Sequence, residues 1–358
     1  MRIHFIIQSD FYTRRIIDKI RDIEHEGHEF IVVHAYNDLT WIKSESEKTY
    51  SFNEAINLLK QANYDCVYLH FLSTSIAYLI LRSNLDKSKL AWNMWGADYY
   101  RIPEIRDAYF MQESLQFAPK LKPVLQSFKQ ILKLPSYDLV SKVIKKCQYY
   151  IWYKEEFDLV VNTINPNLTY VDFEYYLSIH DLPKLNKSTT SNKILIGNSD
   201  DPTNNHIDVI RYISSNLPPN HDLIIPLAGA SKKYIATIEA ELLEHGLKAH
   251  LILESKSVEE FFEILSSVEY VVFGQLRQQG CGTLFPLLYA GKKVFMWKEN
   301  PLYKTMLRWG IKLDNLNDLT AKSFIQLTDK NKNLNIEILE DVLSLENNKN
   351  RWKKALNI

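Results

Sequence analysis

An excess of charge of either sign is absent from this chain. Lys plus Arg and Asp plus Glu stand at 43 each, a formal net charge of zero, so the overall field gives no reason to expect a nucleic-acid partner. Cysteine is scarce. Cys66, Cys147 and Cys281 are odd in number and far apart. They offer neither a disulfide framework nor a metal spacing, which suits a reducing cytosol. No stretch approaches the roughly 20 apolar residues of a membrane-spanning helix. The opening M-R-I-H-F-I-I-Q-S-D reads as a strand running into a polar end, not as a signal peptide. Three fingerprints are missing: G-x-G-x-x-G with a downstream acid, G-x-x-x-x-G-K-[ST], and H-E-x-x-H. Their absence weighs against a nicotinamide dehydrogenase, a P-loop enzyme and a zinc hydrolase of that type. No Asp-x-Asp closes a strand, which argues against a manganese-dependent, single-domain transferase. No internal repeat or low-complexity tract is visible.

What is present is core. Of 358 residues 46% are hydrophobic and 24% charged, enough to bury two domains. Short β-branched runs alternate with helical segments: strands at Ile3–Ile7, Phe30–Ala35, Cys66–Phe71, Leu90–Trp95, Tyr149–Trp152 and Leu168–Phe173, with helices between them at Phe11–Glu26, Phe52–Gln61, Thr74–Arg82 and Lys154–Thr163. Ser51 and Glu54 form a capping-box pattern at the second helix. Such alternation predicts a doubly wound parallel sheet, whose ligands sit at the carboxyl ends of the strands. Asp10, His70 and Asp98 stand there. Singly, each has an ordinary reading: a helix cap, a core histidine, a turn former. Together they are three proton-moving groups converging on one cleft. Residues 116–147 carry seven lysines against the single acid Asp138, with apolar residues interleaved. This basic segment is expected to lie on an anionic membrane surface; a solvated helix face is the plainer alternative.

The polar stretch 184–193 reads as a linker, which sets a first domain at 1–183 and a second at 194–345. Residues 346–358 are left as a C-terminal helix free to pack back on the first domain. The second domain repeats the alternation from Ile194 and ends in helices predicted at Leu316–Asn331, Ile336–Leu345 and Asn350–Leu356. Two of its turns stand out. G-N-S-D-D-P-T-N-N-H follows the strand Ile194–Ile196, and R-Q-Q-G-C-G-T follows Tyr270–Phe273 and opens a helix. Free N–H groups at a helix start, glycines that allow close approach and a nearby hydroxyl form a seat for a diphosphate. The candidates are Gly197, Asn198, Ser199, Asn204 and His206 in the first turn, and Arg277, Gln278, Gln279, Gly280, Gly282 and Thr283 in the second. Glu254, Glu299 and Asn300 stand at other strand ends. An ordinary strand-to-helix turn with an asparagine cap explains one or two of these residues, not all of them.

Gly282–Val294, read as G-x-x-x-P-x-L-x-A-x-G-x-x-V, resembles the donor-site helix of glycosyltransferases with the GT-B architecture. W-x-x-W-G-A-D-x-Y at Trp92–Tyr100, I-L-I-G-N-S-D-D-P-T-N-N-H-I at Ile194–Ile207, R-Q-Q-G-C-G-T-L at Arg277–Leu284 and E-N-P at Glu299–Pro301 resemble the bacterial TDP-N-acetylfucosamine:lipid II N-acetylfucosaminyltransferases. The resemblance implies two Rossmann-like domains facing a cleft. The second would hold a dTDP- or UDP-sugar with no metal or other cofactor, and the first would present a polyprenyl-diphosphate-linked saccharide. If the reaction inverts, Asp98, then Asp10 and His70, would be the base; if it retains configuration, the same groups would orient the acceptor. The enzyme would work as a peripheral protein on the cytoplasmic face of the inner membrane, in surface polysaccharide synthesis. A sugar-nucleotide 2-epimerase of the same architecture and a non-catalytic carbohydrate-binding protein stay open.

Overall fold

The computed structural model describes every residue except 8–11, 34–40, 45–48, 62, 84, 87–88, 120–135, 176, 186–190 and 219. The chain divides into two compact units. One takes in Met1–Arg106, Leu121–Tyr176 and Glu346–Ile358; the other takes in Asp107–Lys120 and Leu177–Leu345. Residues 107–119, which sequence alone places in the first domain, therefore cluster with the second.

The first unit is built on strands β1 (Arg2–Ile7), β2 (His28–Val33), β3 (Trp41–Ser44), β4 (Thr49–Ser51), β5 (Cys66–His70), β6 (Leu90–Asn93), β7 (Tyr149–Trp152) and β8 (Thr169–Asp172). Their order in the sheet is β4-β3-β2-β1-β5-β6-β7-β8. β1, β2 and β5–β8 run parallel. β3 and β4 run antiparallel at one edge; sequence reading left this hairpin out. Helices α1 (Thr13–Ile23), α2 (Phe52–Gln61), α3 (Thr74–Ser83), α4 (Ala97–Tyr100), α5 (Tyr137–Ile144) and α6 (Lys154–Thr163) link the strands. The Ser51–Glu54 capping box is present, with each backbone N–H donating to the other's side chain. Half of the basic segment 116–147, residues 120–135, lies outside the described residues. Of the rest, α5 buries Val140, Val143 and Ile144.

The second unit holds β9 (Lys193–Ile196), β10 (Asp222–Pro226), β11 (Ala249–Ile252), β12 (Tyr270–Phe273), β13 (Lys293–Met296) and β14 (Asp314–Asn315), ordered β11-β10-β9-β12-β13-β14 and all parallel. Its helices are α7 (His206–Ser214), α8 (Lys232–Glu244), α9 (Val258–Ser267), α10 (Cys281–Tyr289), α11 (Pro301–Trp309) and α12 (Asp329–Val342). Ile194, Ile196, Leu223, Ile225 and Val272 pack with Ile207, Ile210 and Ile238 of α7 and α8. Leu195, Ile224, Val271 and Val294 on the opposite face are buried too. A sheet covered on both faces needs apolar residues at every position, which is why these strands read as unbroken apolar runs. The helix predicted over 316–331 is not formed. Short 3₁₀ turns at Leu316–Asp318 and Ala321–Ser323 stand there, and α12 begins only at Asp329, capped by Thr328. A last helix, α13 (Leu345–Leu356), buries Trp352, Ala355 and Leu356.

Candidate functional site

In the second sheet β9 lies between β10 and β12. The chain leaves β9 toward one side and returns on the other, so the loops after β9 and β12 meet at the point where the winding reverses. Parallel sheets of this kind bind ligands there. Both polar turns singled out in the sequence occupy that point.

The two turns interlock. Asn204 Oδ1 accepts from the Asn198 N–H at 3.0 Å, while its Nδ2 donates to the Ser199 carbonyl, the Ser199 hydroxyl and the Asp201 carbonyl. Gln279 crosses from the other turn: Nε2 donates to Asn198 Oδ1 (3.0 Å) and Ser199 Oγ (3.2 Å), and Oε1 accepts from Thr203 Oγ1 (2.9 Å). Arg277 Nε donates to Thr203 Oγ1 at 3.0 Å, and its guanidinium pairs with Asp201 at 3.3 Å. Gln278 turns inward and donates to Cys281 Sγ. Sequence reading took Arg277, Gln278 and Gln279 as ligand groups because such side chains have little packing value. Here Arg277 and Gln279 hold the turns against each other, while Gln278 is bonded within its own turn.

Two glycines make this approach possible. Gly197 has φ +73°, and a Cβ there would stand 2.4 Å from His206 Nε2; Gly280 has φ +77°, and a Cβ would stand 2.8 Å from Asn198 Cγ. Only glycine fits such contacts at positive φ. Gly280 precedes α10, whose Thr283 and Leu284 N–H groups donate back to its carbonyl. Cys281 and Gly282 come before any helical acceptor, so the positive end of α10 faces the turns at Gly282. Thr283 is buried in the same first turn.

His206 is fully buried. Its Nδ1 meets Tyr234 OH at 2.9 Å, and its Nε2, facing Gly197, has no hydrogen-bond partner among the described residues. Burial lowers its pKa to about 3, so it is neutral. Asn300 caps α11 and donates to the carbonyls of Gln275 and Arg277 at 2.8 and 3.1 Å, which fixes the second turn from beneath. Glu254 lies past the edge strand β11, two strands from β9, and Glu299 lies past β13; both are exposed.

Sequence reasoning missed several residues of this site. Asp201, followed by Pro202, caps a 3₁₀ turn and accepts from Thr203; the D-P-T pattern is a legible signal for it. Asn205 has left-handed backbone at φ +55°. Its Nδ2 donates to the Gly274 and Thr203 carbonyls, and its Oδ1 accepts from Met111 N–H at 2.9 Å. Asp208 accepts from the N–H groups of Glu113 and Ser114 and from the Ser114 hydroxyl. These two residues clip the strap 107–119 onto the unit. Nothing local in the sequence announces a contact spanning 94 residues.

In the first unit the candidates part company. Asp98 is fully buried; it accepts from Trp92 Nε1 at 2.8 Å and from the N–H groups of Leu72 and Trp95 at 3.1 Å each. Burial pushes its pKa up and these donors oppose that shift. Its carboxylate latches the W-G-A-D turn to the end of β5. That is a structural task, one that stands beside the base role read for Asp98 from the sequence. Asp10 lies outside the described residues. His70 is buried, and burial lowers its pKa to about 3.

Two Rossmann-like parallel-sheet units with paired polar turns at a switch point define a glycosyltransferase of the GT-B class. The chain matches the 4-alpha-L-fucosyltransferase family, glycosyl transferase group 56, over residues 157–358, and it belongs to that family. Solved structures agree on the fold. Sucrose-phosphate synthase from Thermosynechococcus elongatus aligns with TM-score 0.53 at 10% identity, over 100% of this chain and 97% of its own. OtsA in its apo form aligns with TM-score 0.58 at 8% identity, over 99% and 98%. Trehalose-6-phosphate synthase OtsA aligns with TM-score 0.53 at 9% identity, over 86% and 74%.

Proposed function

We propose that this glycosyltransferase moves a deoxyamino sugar, of the 4-acetamido-4,6-dideoxy-galactose kind, from a dTDP- or UDP-sugar to a polyprenyl-diphosphate-linked saccharide in bacterial surface polysaccharide synthesis. The observation that carries the donor half is the close seating of the two turns at the second sheet's switch point, where Gly197 and Gly280 leave no room for a Cβ. The ligand groups there are the backbone donors at the head of α10, and the side chains around them hold that backbone rigid. The diphosphate sits at Gly282 and Thr283, where the helix end and N–H groups stabilise the charge growing on the departing nucleotide. This is a role a metal ion takes elsewhere, so binding is expected to be metal-independent. The first unit takes the acceptor.

The lysine-rich segment supports a peripheral site of action on the cytoplasmic face of the inner membrane. Among the described residues no helix is long and apolar enough to cross a membrane. A thermal-shift series with dTDP, UDP, GDP, CMP and NAD, with and without EDTA, tests the donor half. A rise in Tm with dTDP or UDP that EDTA leaves in place supports it; no rise with any nucleotide from folded protein rejects it.

A further inference from the structure

A row of imidazoles crosses one face of the first sheet. His70 ends β5, His4 lies mid-strand in β1, and His28 opens β2. His70 Nε2 is 3.0 Å from His4 Nδ1, His4 Nε2 is 2.8 Å from His28 Nδ1, and His28 Nε2 is 3.1 Å from Glu24 Oε2. The Arg2 guanidinium pairs with Glu24. Neighbouring registers place Arg2 beside His28 and Ile6 beside His70, so the row runs from the amino edge of the sheet to its carboxyl edge. His4 is stacked on Phe30 and Tyr68, and Trp352 of α13 lies against His70. His4 and His70 are fully buried, the His28 side chain is 2% exposed and that of Glu24 28%.

The chemistry gives this row a direction. The Glu24 carboxylate, paired with the Arg2 guanidinium, can only accept, so His28 Nε2 carries a proton and His28 Nδ1 accepts from His4. By the same step His4 Nδ1 accepts from His70 Nε2–H. One tautomer remains for each ring, and His70 Nδ1 is left as a bare lone pair. That atom is buried without a hydrogen-bond partner among the described residues, a condition that calls for a donor. It sits at the carboxyl edge, next to the place where β1 lies between β2 and β5 and the winding of this sheet reverses.

We propose that His70, His4 and His28 form a proton relay, polarised by Glu24, that takes the hydroxyl proton of the sugar acceptor at His70 Nδ1 and, in that step, moves a proton to the opposite edge of the first sheet. The proposal rests on the transferase reading. As the acceptor oxygen bonds to the sugar and the nucleotide diphosphate leaves with the old bond's electrons, the hydroxyl proton passes to His70 Nδ1, directly or across one water. His70 Nε2–H then passes to His4 Nδ1, His4 Nε2–H to His28 Nδ1, and His28 Nε2–H to Glu24, which releases it to solvent. The row is reset after product leaves, when a proton re-enters through Glu24, each ring passes its Nδ1–H back along the row, and His70 Nδ1–H is given up to water at the carboxyl edge. Burial lowers the pKa of all three histidines, so no imidazolium rests midway. On this face Cys66 and Tyr68 are driven up by burial and stay neutral, and the Arg21 guanidinium of α1 lies over the Phe30 ring. His70 is the catalytic member; His4, His28 and Glu24 position it.

The test uses full-length protein with 15N-labelled histidine and long-range proton–nitrogen correlation. All three rings are expected to be neutral Nε2–H tautomers across about pH 6 to 8, where an ordinary imidazole titrates. Glu24→Gln supplies an amide donor, so it should let the row reverse, populate Nδ1–H on His70 and lower kcat about ten-fold or more, with donor KM unchanged. A proton on His70 Nδ1 in the parent protein, or a reversed row with kcat unchanged, overturns the relay. His28→Gln, a second interruption of the row, is expected to lower kcat in the same way, and full kcat in that variant likewise overturns it. Nucleotide binding is read separately in the parent protein: its failure with the tautomers in order rejects the donor site, whereas binding by a parent whose tautomers are reversed rejects the relay alone.

Discussion

At the scale of single residues, Gly197, Asp98 and the buried histidines carry the sharpest expectations. Gly197→Ala meets both a positive φ and the His206 ring 2.4 Å away. It should abolish the nucleotide-induced rise in Tm and lower stability by about 1–3 kcal/mol. Asp98→Asn sets an amide against backbone and indole donors that now find a carboxylate. The loss is expected to be about 1–3 kcal/mol, seen as a lower denaturation midpoint, with kcat of the folded fraction kept. A large fall in kcat at unchanged stability would return Asp98 to the chemistry. The sign of the pH dependence follows from His70 and His206, whose pKa values fall from 6.5 to about 3 on folding. Below about pH 6.5 the unfolded chain binds protons that the folded one does not, so stability present above that value is lost as pH falls toward 3. Each of these histidines contributes about 1.4 kcal/mol per pH unit in that window. His206→Gln should flatten the acid limb of a urea-midpoint titration. Asp98, with its pKa raised, has the opposite sign and gains stability on acidification.

At the scale of elements, what could be read from sequence followed burial. Strands covered on both faces appear as apolar runs, and β7 and β12 come out at their observed bounds. The β3–β4 hairpin was not legible, because edge strands carry no such run. The 316–331 segment has a helical composition, but Leu316, Leu319 and Phe324 instead plug the core beneath α7 and β12, and tertiary packing overrides propensity. The turns at 197–206 and 277–283 were legible as polar loops after strands. Their interlock was not, since it depends on β9 and β12 being neighbours, a fact of sheet order. The enclosure of Asp98 was hidden for a related reason: residue type and strand end were visible, whereas the three donors around its carboxylate were not. The strap 107–119 yields a prediction of its own. Asp208→Ala removes acceptors for three donors at Glu113 and Ser114, and limited proteolysis should then cut within 107–119 several times faster than in the parent.

At the scale of the molecule, α13 joins the end of the chain to its beginning. Tyr68 OH donates to the Leu356 carbonyl, Asn348 donates to the Tyr175 carbonyl, and Trp352 lies edge-on to Phe173. Trp352→Ala should lower the stability of the first unit by about 3–5 kcal/mol, measured by denaturant unfolding, because a fully buried indole leaves a cavity. The same contacts bear on the order of events at the ribosome. The chain passes from one unit to the other after Arg106, Lys120, Tyr176 and Leu345. The second unit thus has all its parts once residue 345 has emerged, while the first waits for the last thirteen residues, Glu346–Ile358. During synthesis the sheet that is made before the other is thus sealed after it. A nascent chain stalled short of Trp352 would hold a finished second unit and an unfinished first one, its His70 ring without the indole that lies against it.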